Sequence, residues 1–309
     1  MVLVAQPVAT MSRILILNDG RMGHLNQSVA LAKYLELPYD VVEVLPKYSW
    51  SKPLTYVLDK LGVRTKLLFQ DITLAHDAYE MVVGTGSWTY YMVKVLAGQL
   101  EAKSVAMMFP RGYRYDDFDM IFAQKHDHPP KLANINELPA NFSYVEPKGL
   151  YEAKKKSIGI VIGGNNKIFT MSKEKLQTQL DFIVEHYQGY EIAVTTSPRT
   201  SEAVEQLVES YHFDYEVIFS KNRINPIPDF LEHCETVFIT GDSTSMISEA
   251  VSYGKTNVIV LPLESQKDNK FERFIKDLEK EGYLHIFDGT IKNTNRKIDF
   301  RAYLKGLDL

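Results

Sequence analysis

A single cysteine, Cys234, stands in the 309 residues, so no disulfide can close within the chain. It precedes an apolar stretch and reads as a small core residue. No Cys/His cluster has zinc spacing, and no run approaches the roughly 20 apolar residues that a membrane-spanning helix needs. Basic charge is not in excess: 35 Lys and Arg stand against 39 Asp and Glu, a net charge of −4 that argues against nucleic acid as the partner. Low-complexity tracts and coarse repeats are also missing. The opening Met1–Thr10 lacks the basic start and the length of a signal peptide, while Met11-Ser-Arg-Ile would serve as a start. Those first ten residues therefore read as an extension, and the chain as a soluble, cytoplasmic one. What is present is ordinary globular material, 45% apolar and 24% charged, long enough for two domains of about 150 residues.

The chain is organised around Val237-Phe-Ile-Thr-Gly-Asp-Ser-Thr-Ser-Met-Ile-Ser-Glu-Ala-Val251. Val237–Ile239 predicts a buried parallel strand, Gly241-Asp242 a turn, and Met246, Ile247, Ala250 and Val251 the apolar face of a helix. Asp242, Ser243, Thr244 and Ser245 lie where a helix is capped, and a helix start at a strand's carboxyl end suits an anion such as a diphosphate. Glu249 lies within reach of a ribose beside it. The same pattern also describes an ordinary capped helix with a solvated Glu.

In the first half, Arg13–Leu17 predicts a strand, Asn18–Ser28 a polar loop with Gly20, Gly23 and His24, and a helix from about Asn26. His24 is a candidate base or anion ligand, though a lone loop histidine is often neither. Strands follow at 39–45, 79–83, 104–109 and 118–123, with a Gly84-Thr-Gly86 turn after the second of these. Pro110-Arg111 ends the next, and His126-Asp127-His128 follows the last. His126 and Asp127 fit acid–base work or hydrogen bonding better than metal binding. Residues 46–70 carry Lys47, Lys52, Lys60, Arg64 and Lys66 against one acid, Asp59, interleaved with aromatics. That mixture suits an anionic lipid surface, or equally a solvated helix whose aromatics pack inward.

Asn141–Lys156 reads as a linker, after which the alternation of strand, loop and helix restarts. A strand at 157–162 leads into Gly163-Gly164, and one at 190–194 into Thr195-Thr-Ser-Pro-Arg-Thr200, where Arg199 can grip phosphate bidentately. Strands at 215–219 and 257–261 and a helix at 269–280 complete the pattern. The alternation predicts an α/β protein of two doubly wound, Rossmann-like domains, residues 11–145 and 150–289, with the tail 290–309 packing back on the first. Ligand loops at the carboxyl ends of the strands place the expected site in a cleft between the domains.

Asp19-Gly-Arg-Met-Gly-His-Leu-Asn-Gln27 resembles the Asp-Gly-Lys-x-Gly-His-x-Asn-Gln signature of the mitochondrial-fission ELM family. The likeness runs on through Gly84-Thr-Gly86, Pro110-Arg111, His126-Asp127, Gly163-Gly164, Thr195–Thr200, Asn225-Pro226, Gly241–Ala250, Gly254-Lys255 and Lys270-Phe-x-Arg-Phe274. That family is similar to GT-B glycosyltransferases. The resemblance implies a nucleoside-diphosphate sugar donor on the second domain, a glycan or lipid-linked acceptor on the first, and no metal or other cofactor. It implies that Ser243, Thr244, Ser245 and Met246 hold the diphosphate and Glu249 the ribose. Arg199 would offset phosphate charge, Thr196 and Ser197 would join it in binding the donor, and Gly163 and Gly164 would allow close approach. On the acceptor side it implies His24 as base with Asp19, His126 and Asp127 as further catalytic candidates. Gly23, Asn26, Gln27, Gly84, Thr85, Gly86 and Arg111 would line the acceptor. The chain departs from the family pattern at Gln124-Lys125, Asn165-Asn166 and Ser87-Trp88.

The implied activity is transfer to a cell-envelope acceptor such as lipopolysaccharide, with peripheral contact at the inner membrane. Two rivals share these residues. A nucleotide-sugar epimerase would use an acid–base pair on opposite sugar faces, and a non-enzymatic membrane scaffold would use the basic, aromatic 46–70 segment.

Overall fold

The computed structural model describes residues 12–265 and 269–307, so the opening segment read as an extension lies outside the described residues. The chain divides into two compact units, the first reaching Leu138 and taking up the tail again from Arg301, the second running from Pro139 to Phe300.

In the first unit the strands are β1 (Ile14–Asn18), β2 (Tyr39–Glu43), β3 (Met81–Gly84), β4 (Lys103–Ala106), β5 (Met120–Gln124) and β6 (Ile135–Leu138). The helices are α1 (Met22–Leu35), α2 (Ser51–Lys60) and α3 (Tyr90–Leu100). The six strands are parallel in the order β2-β1-β3-β4-β5-β6. Central strands such as β1 and β3 are continuous apolar runs because helices cover both faces, whereas the edge strand β2 alternates exposed and half-buried positions. The core gathers Leu15, Leu17 and Val82 with Tyr91, Val95 and Leu96 of α3.

The second unit contains β7 (Ser157–Ile162), β8 (Phe169–Thr170), α4 (Lys173–His186), β9 (Glu191–Thr196), α5 (Glu202–Glu209), β10 (Tyr215–Val217) and α6 (Ile227–His233). It continues with β11 (Thr236–Thr240), α7 (Thr244–Ala250), β12 (Asn257–Leu261), β13 (Glu264–Ser265), α8 (Lys270–Lys280) and β14 (His285–Ile286). Its parallel sheet runs β10-β9-β7-β11-β12-β14, and β8 and β13 form a small antiparallel ribbon. In each sheet the chain winds one way from its first strand and then the other. The order therefore reverses between β1 and β3 in the first unit and between β7 and β11 in the second, where ligands of doubly wound folds bind.

Three expectations are corrected. Helix α1 starts at Met22 rather than near Asn26, because Gly20 (φ +82°) turns the chain at once and the side chains of Asn18 and Asp19 accept the Gly20 and Arg21 N–H groups. Residues 141–156 are not a free linker: Asn141 N donates to Ser248 Oγ (3.1 Å), Ser143 Oγ pairs with Ser252 Oγ (2.9 Å), and Tyr151 is buried. The tail stays with the second unit as far as Phe300, where Ile298 N donates to Val251 O (2.8 Å) and Phe300 packs on Phe142. Only the short turn beyond it reaches the first unit, with Arg301 over the ring of Tyr34. No helix among the described residues is long and apolar enough to cross a membrane.

Candidate functional site

At the reversal point of the first sheet, Asp19 follows β1 directly and His24 occupies the first turn of α1, which brings their side chains together. His24 Nδ1 lies 2.9 Å from Asp19 Oδ2. The Asp19 side chain is 2% exposed and that of His24 19%. Oδ1 of Asp19 accepts the Arg21 N–H (3.2 Å), so the carboxylate is fixed from two sides. Among the described residues His24 Nε2 has no hydrogen-bond partner. An acceptor at Nδ1 leaves the second nitrogen able to take a proton. From the neighbouring strand, Gly86 (φ +92°) meets this pair, and a Cβ there would stand 2.4 Å from His24 Nδ1 and 2.8 Å from Asp19 Oδ2. Only glycine leaves room for the dyad.

The other first-unit candidates separate into supports and neighbours. Thr85, buried, pairs with Ser28 Oγ of α1 (2.7 Å). Gln27, also buried, meets Gln124 Nε2 of β5 at 3.4 Å. Gly84 is explained by packing, since a Cβ would fall 2.5 Å from Thr89 Oγ1 and 2.6 Å from Val93 Cγ2. Gly23 is helical and Asn26 exposed on α1. His126 and Asp127, both buried, follow β5, with two strands between it and β1. Arg111 covers them by donating to Asp127 O (2.7 Å) and Oδ1 (3.3 Å).

In the second unit the reversal point is held by Asp242, a residue sequence reasoning took only as a helix cap. Its side chain is fully buried. Oδ1 accepts Thr240 Oγ1 (2.6 Å), Oδ2 accepts Gly164 N (3.1 Å), and Arg199 Nη2 donates to Oδ2 as well. Thr240 Oγ1 in turn accepts Gly163 N (2.7 Å). A Cβ at Gly163 would strike the Asp242 carboxylate within 2.1 Å, and one at Gly164 would strike Arg199 O at 1.9 Å. The two glycines thus let the loops after β7, β9 and β11 interlock, and both N–H groups point inward. The available signal was an acid just past one predicted strand and a Gly-Gly pair just past another.

Arg199 is half in solvent, 42% exposed, so its remaining N–H groups face outward. Thr196 is spent internally, its hydroxyl donating to Glu205 Oε1 (3.2 Å) and accepting Phe219 N (2.8 Å). Ser197 Oγ pairs with Thr200 Oγ1 (3.2 Å). Ser243 caps α7 by accepting Met246 N (3.4 Å), and Thr244 Oγ1 accepts Asn141 Nδ2 (3.3 Å). Ser245 and Met246 are half-buried on the same short helix. Glu249 has its carboxyl pushed up to about 7 by burial. A slot of about 170 Å³ opens beside Gly241, walled by Phe169, Val260, Pro262, Leu263 and Ile275.

An Asp-x-Asp tripeptide does occur, Asp117-Phe118-Asp119. Asp117 is taken by Arg64 (2.5 Å) and Arg114 (3.3 Å), and Asp119 by the N–H and hydroxyl of Ser104 (both 2.7 Å). No group of three or more His, Cys, Asp or Glu among the described residues is arranged to hold a metal.

The family model for mitochondrial fission ELM1 matches residues 22–302. An uncharacterized protein of Rickettsia prowazekii (strain Madrid E), RP120, is 23% identical over 325 residues, covering 90% of this chain and 91% of that one. Among solved structures, the indoxyl-glucosylating UDP-glucosyltransferase of Polygonum tinctorium is similar with a TM-score of 0.52 at 10% identity, over 96% of this chain and 89% of that one. MurG of Acinetobacter baumannii gives 0.48 at 12% identity, over 91% and 87%. At such identities the likeness is one of fold, and the fold is GT-B-like with two Rossmann-like units.

Proposed function

The chain belongs to the mitochondrial fission ELM1 family, and we propose that it is a glycosyltransferase. Its donor is a nucleoside-diphosphate sugar and its acceptor a hydroxyl of a cell-envelope glycan or lipid, with no metal required. The observation that carries this reading is the Asp19–His24 dyad seated on Gly86 where the first sheet reverses its strand order. His24 Nε2 takes the acceptor's hydroxyl proton as that oxygen bonds to the anomeric carbon. The anomeric carbon's bond to the diphosphate breaks with its electron pair leaving on phosphate, and a single displacement inverts the centre. Asp19 orients the imidazole and stabilises its charged form.

On the donor side, Arg199 and the first turn of α7 receive the diphosphate, and Glu249 accepts the ribose hydroxyls. Gly163 and Gly164 serve by shaping the loops, since their N–H groups are already spent. The fold shared with a UDP-glucosyltransferase supports a nucleotide-sugar donor without naming the base.

Thermal stabilisation is to be measured over UDP, GDP, CMP and ADP sugars, with wild type and Glu249→Ala. A donor at 100 times its dissociation constant adds about 2.7 kcal/mol, and one nucleotide class should do so in wild type and less in the variant. His24→Ala should keep that donor shift while turnover falls by about 10²–10⁴. Absence of any shift, or undiminished turnover in His24→Ala, would sink the reading. Conversion of the sugar nucleotide without acceptor would replace transfer by epimerisation.

A further inference from the structure

Helix α2 packs Leu54, Tyr56 and Leu58 against the core and still carries a second apolar row outward. Its fully buried positions are Ser51, Thr55 and Asp59, while its outward face, spaced four and four apart, is Pro53, Val57 and Leu61 with Lys60 alongside. The buried face is satisfied internally. Ser51 Oγ donates to Leu68 O (3.1 Å), Thr55 pairs with Tyr113 OH (3.0 Å), and Asp59 accepts Lys94 Nζ (2.8 Å) and Arg114 N (2.7 Å). A helix whose buried polar groups are consumed by the protein while Pro53, Val57 and Leu61 face outward suits a non-aqueous neighbour.

The flanking chain extends this face. Residues 45–47 run against 68–70, with Pro46 bridged to Phe69, Gln70 N donating to Leu45 O and Lys47 N to Leu68 O (both 2.9 Å). The whole excursion closes on itself. Of eleven exposed large hydrophobic residues among those described, seven lie between positions 45 and 67, led by Leu67 (75% exposed) and Leu61 (70%). Tyr48 and Trp50 stack in parallel at 4.8 Å and are both half exposed. Charge on the excursion has one sign. Asp59 is its only acid and is wholly buried, whereas Lys47, Lys60 and Lys66 are exposed.

We propose that residues 45–67 form a docking surface for a lipid bilayer bearing anionic headgroups. The aliphatic side chains enter the acyl boundary, the Tyr48–Trp50 stack sits at headgroup level, and the lysines reach the anionic layer. Charge complementarity selects this occupant over a protein, since nothing on the face offers an anion or an ordered set of hydrogen-bonding groups. The inference stands without the transferase reading, and its test involves no sugar.

The full chain is to be sedimented with phosphatidylcholine vesicles and with phosphatidylcholine–phosphatidylglycerol vesicles. Wild type should bind the anionic vesicles at least tenfold better and lose that preference in high salt. Leu61→Glu with Leu67→Glu should reduce binding tenfold or more with an unchanged melting temperature, and Lys47→Glu with Lys60→Glu and Lys66→Glu should do likewise. Binding that survives both variants, or no binding to either vesicle, overturns the proposal. So does a wild-type dimer, seen by light scattering without vesicle binding, that the leucine variant splits, because the face would then belong to a second copy.

Discussion

Glu249 and Lys297 meet at one short helix and titrate in opposite senses. Burial raises Glu249 from its usual 4.5 to about 7, so the folded protein keeps a proton that the unfolded chain has released. Stability contributed here is full below about pH 4.5 and is lost as pH rises through 7. Lys297 donates to Ala250 O (2.6 Å) at the end of α7 and to Thr256 O (2.8 Å), yet burial lowers it to about 8. Its contribution is full above about 10.5 and is lost as pH falls through 8. The two together predict a stability minimum between pH 7 and 8. Urea melts from pH 4 to 10 should show it. Glu249→Gln should remove the acid-side fall, worth up to about 3 kcal/mol at roughly 1.4 kcal/mol per pH unit, and a Glu249→Gln protein with an unaltered profile would refute the assignment. At this scale the sequence was legible where chemistry is local. Asp19 and His24 are five positions apart, and the tight turn at Gly20 with the first turn of α1 brings them together. Asp242 and Arg199 are 43 positions apart, and only the neighbouring of β7 with β9 and β11 unites them, so the carboxylate that organises the loops after these strands read as a mere cap.

Helix α2 shows why elements are harder to read than residues. Its spacing of aromatics and lysines allowed an inward aromatic face, and Tyr56 does pack inward, on Tyr113 at 4.5 Å, with Leu54 and Leu58 also against the core, while the polar Ser-Thr-Asp stripe takes the most buried positions. What anchors that stripe is the buried pair of Asp59 and Lys94, the latter on α3 and held below its ordinary pKa by desolvation despite its partner. Lys94→Met should leave Asp59 with Arg64 at 3.3 Å and the Arg114 N–H, an under-compensated buried charge, at a cost of about 3 kcal/mol. Adding Asp59→Asn should recover a good part of that loss. Chemical denaturation of both variants tests it, and a double variant less stable than Lys94→Met alone would show that the pair is not what secures α2. Strands β6 and β14 escaped the sequence for a different reason. Ile135-Asn-Glu-Leu138 and His285-Ile286 are short edge strands without an apolar run, and an edge strand owes its existence to the neighbour it pairs with.

At the scale of the whole molecule, the repeated alternation of strand, glycine loop and helix made two doubly wound sheets legible, because parallel strands buried on both faces are apolar runs of a recognisable length. The division between the units was less so. A proline, a glycine and consecutive lysines at 141–156 have a linker's composition, but composition does not register that backbone groups in this segment are needed elsewhere. Asp229 is completely buried at the start of α6, and its Oδ1 accepts the N–H groups of Lys148 (3.0 Å) and Gly149 (2.7 Å). Asn141 and Ser143 similarly satisfy Ser248 and Ser252 around α7. A fragment of residues 139–300 has its own sheet and core at about 160 residues, enough to fold alone. It should melt in one cooperative transition and keep the donor's thermal shift. A fragment of residues 150–300 deletes both N–H donors of a buried carboxylate and should lose about 3 kcal/mol or more, with a correspondingly lower melting temperature. Asp229→Asn in the shorter fragment should restore part of that loss, since the neutral amide needs less compensation. Equal melting of the two fragments would mean that residues 139–149 are a linker after all.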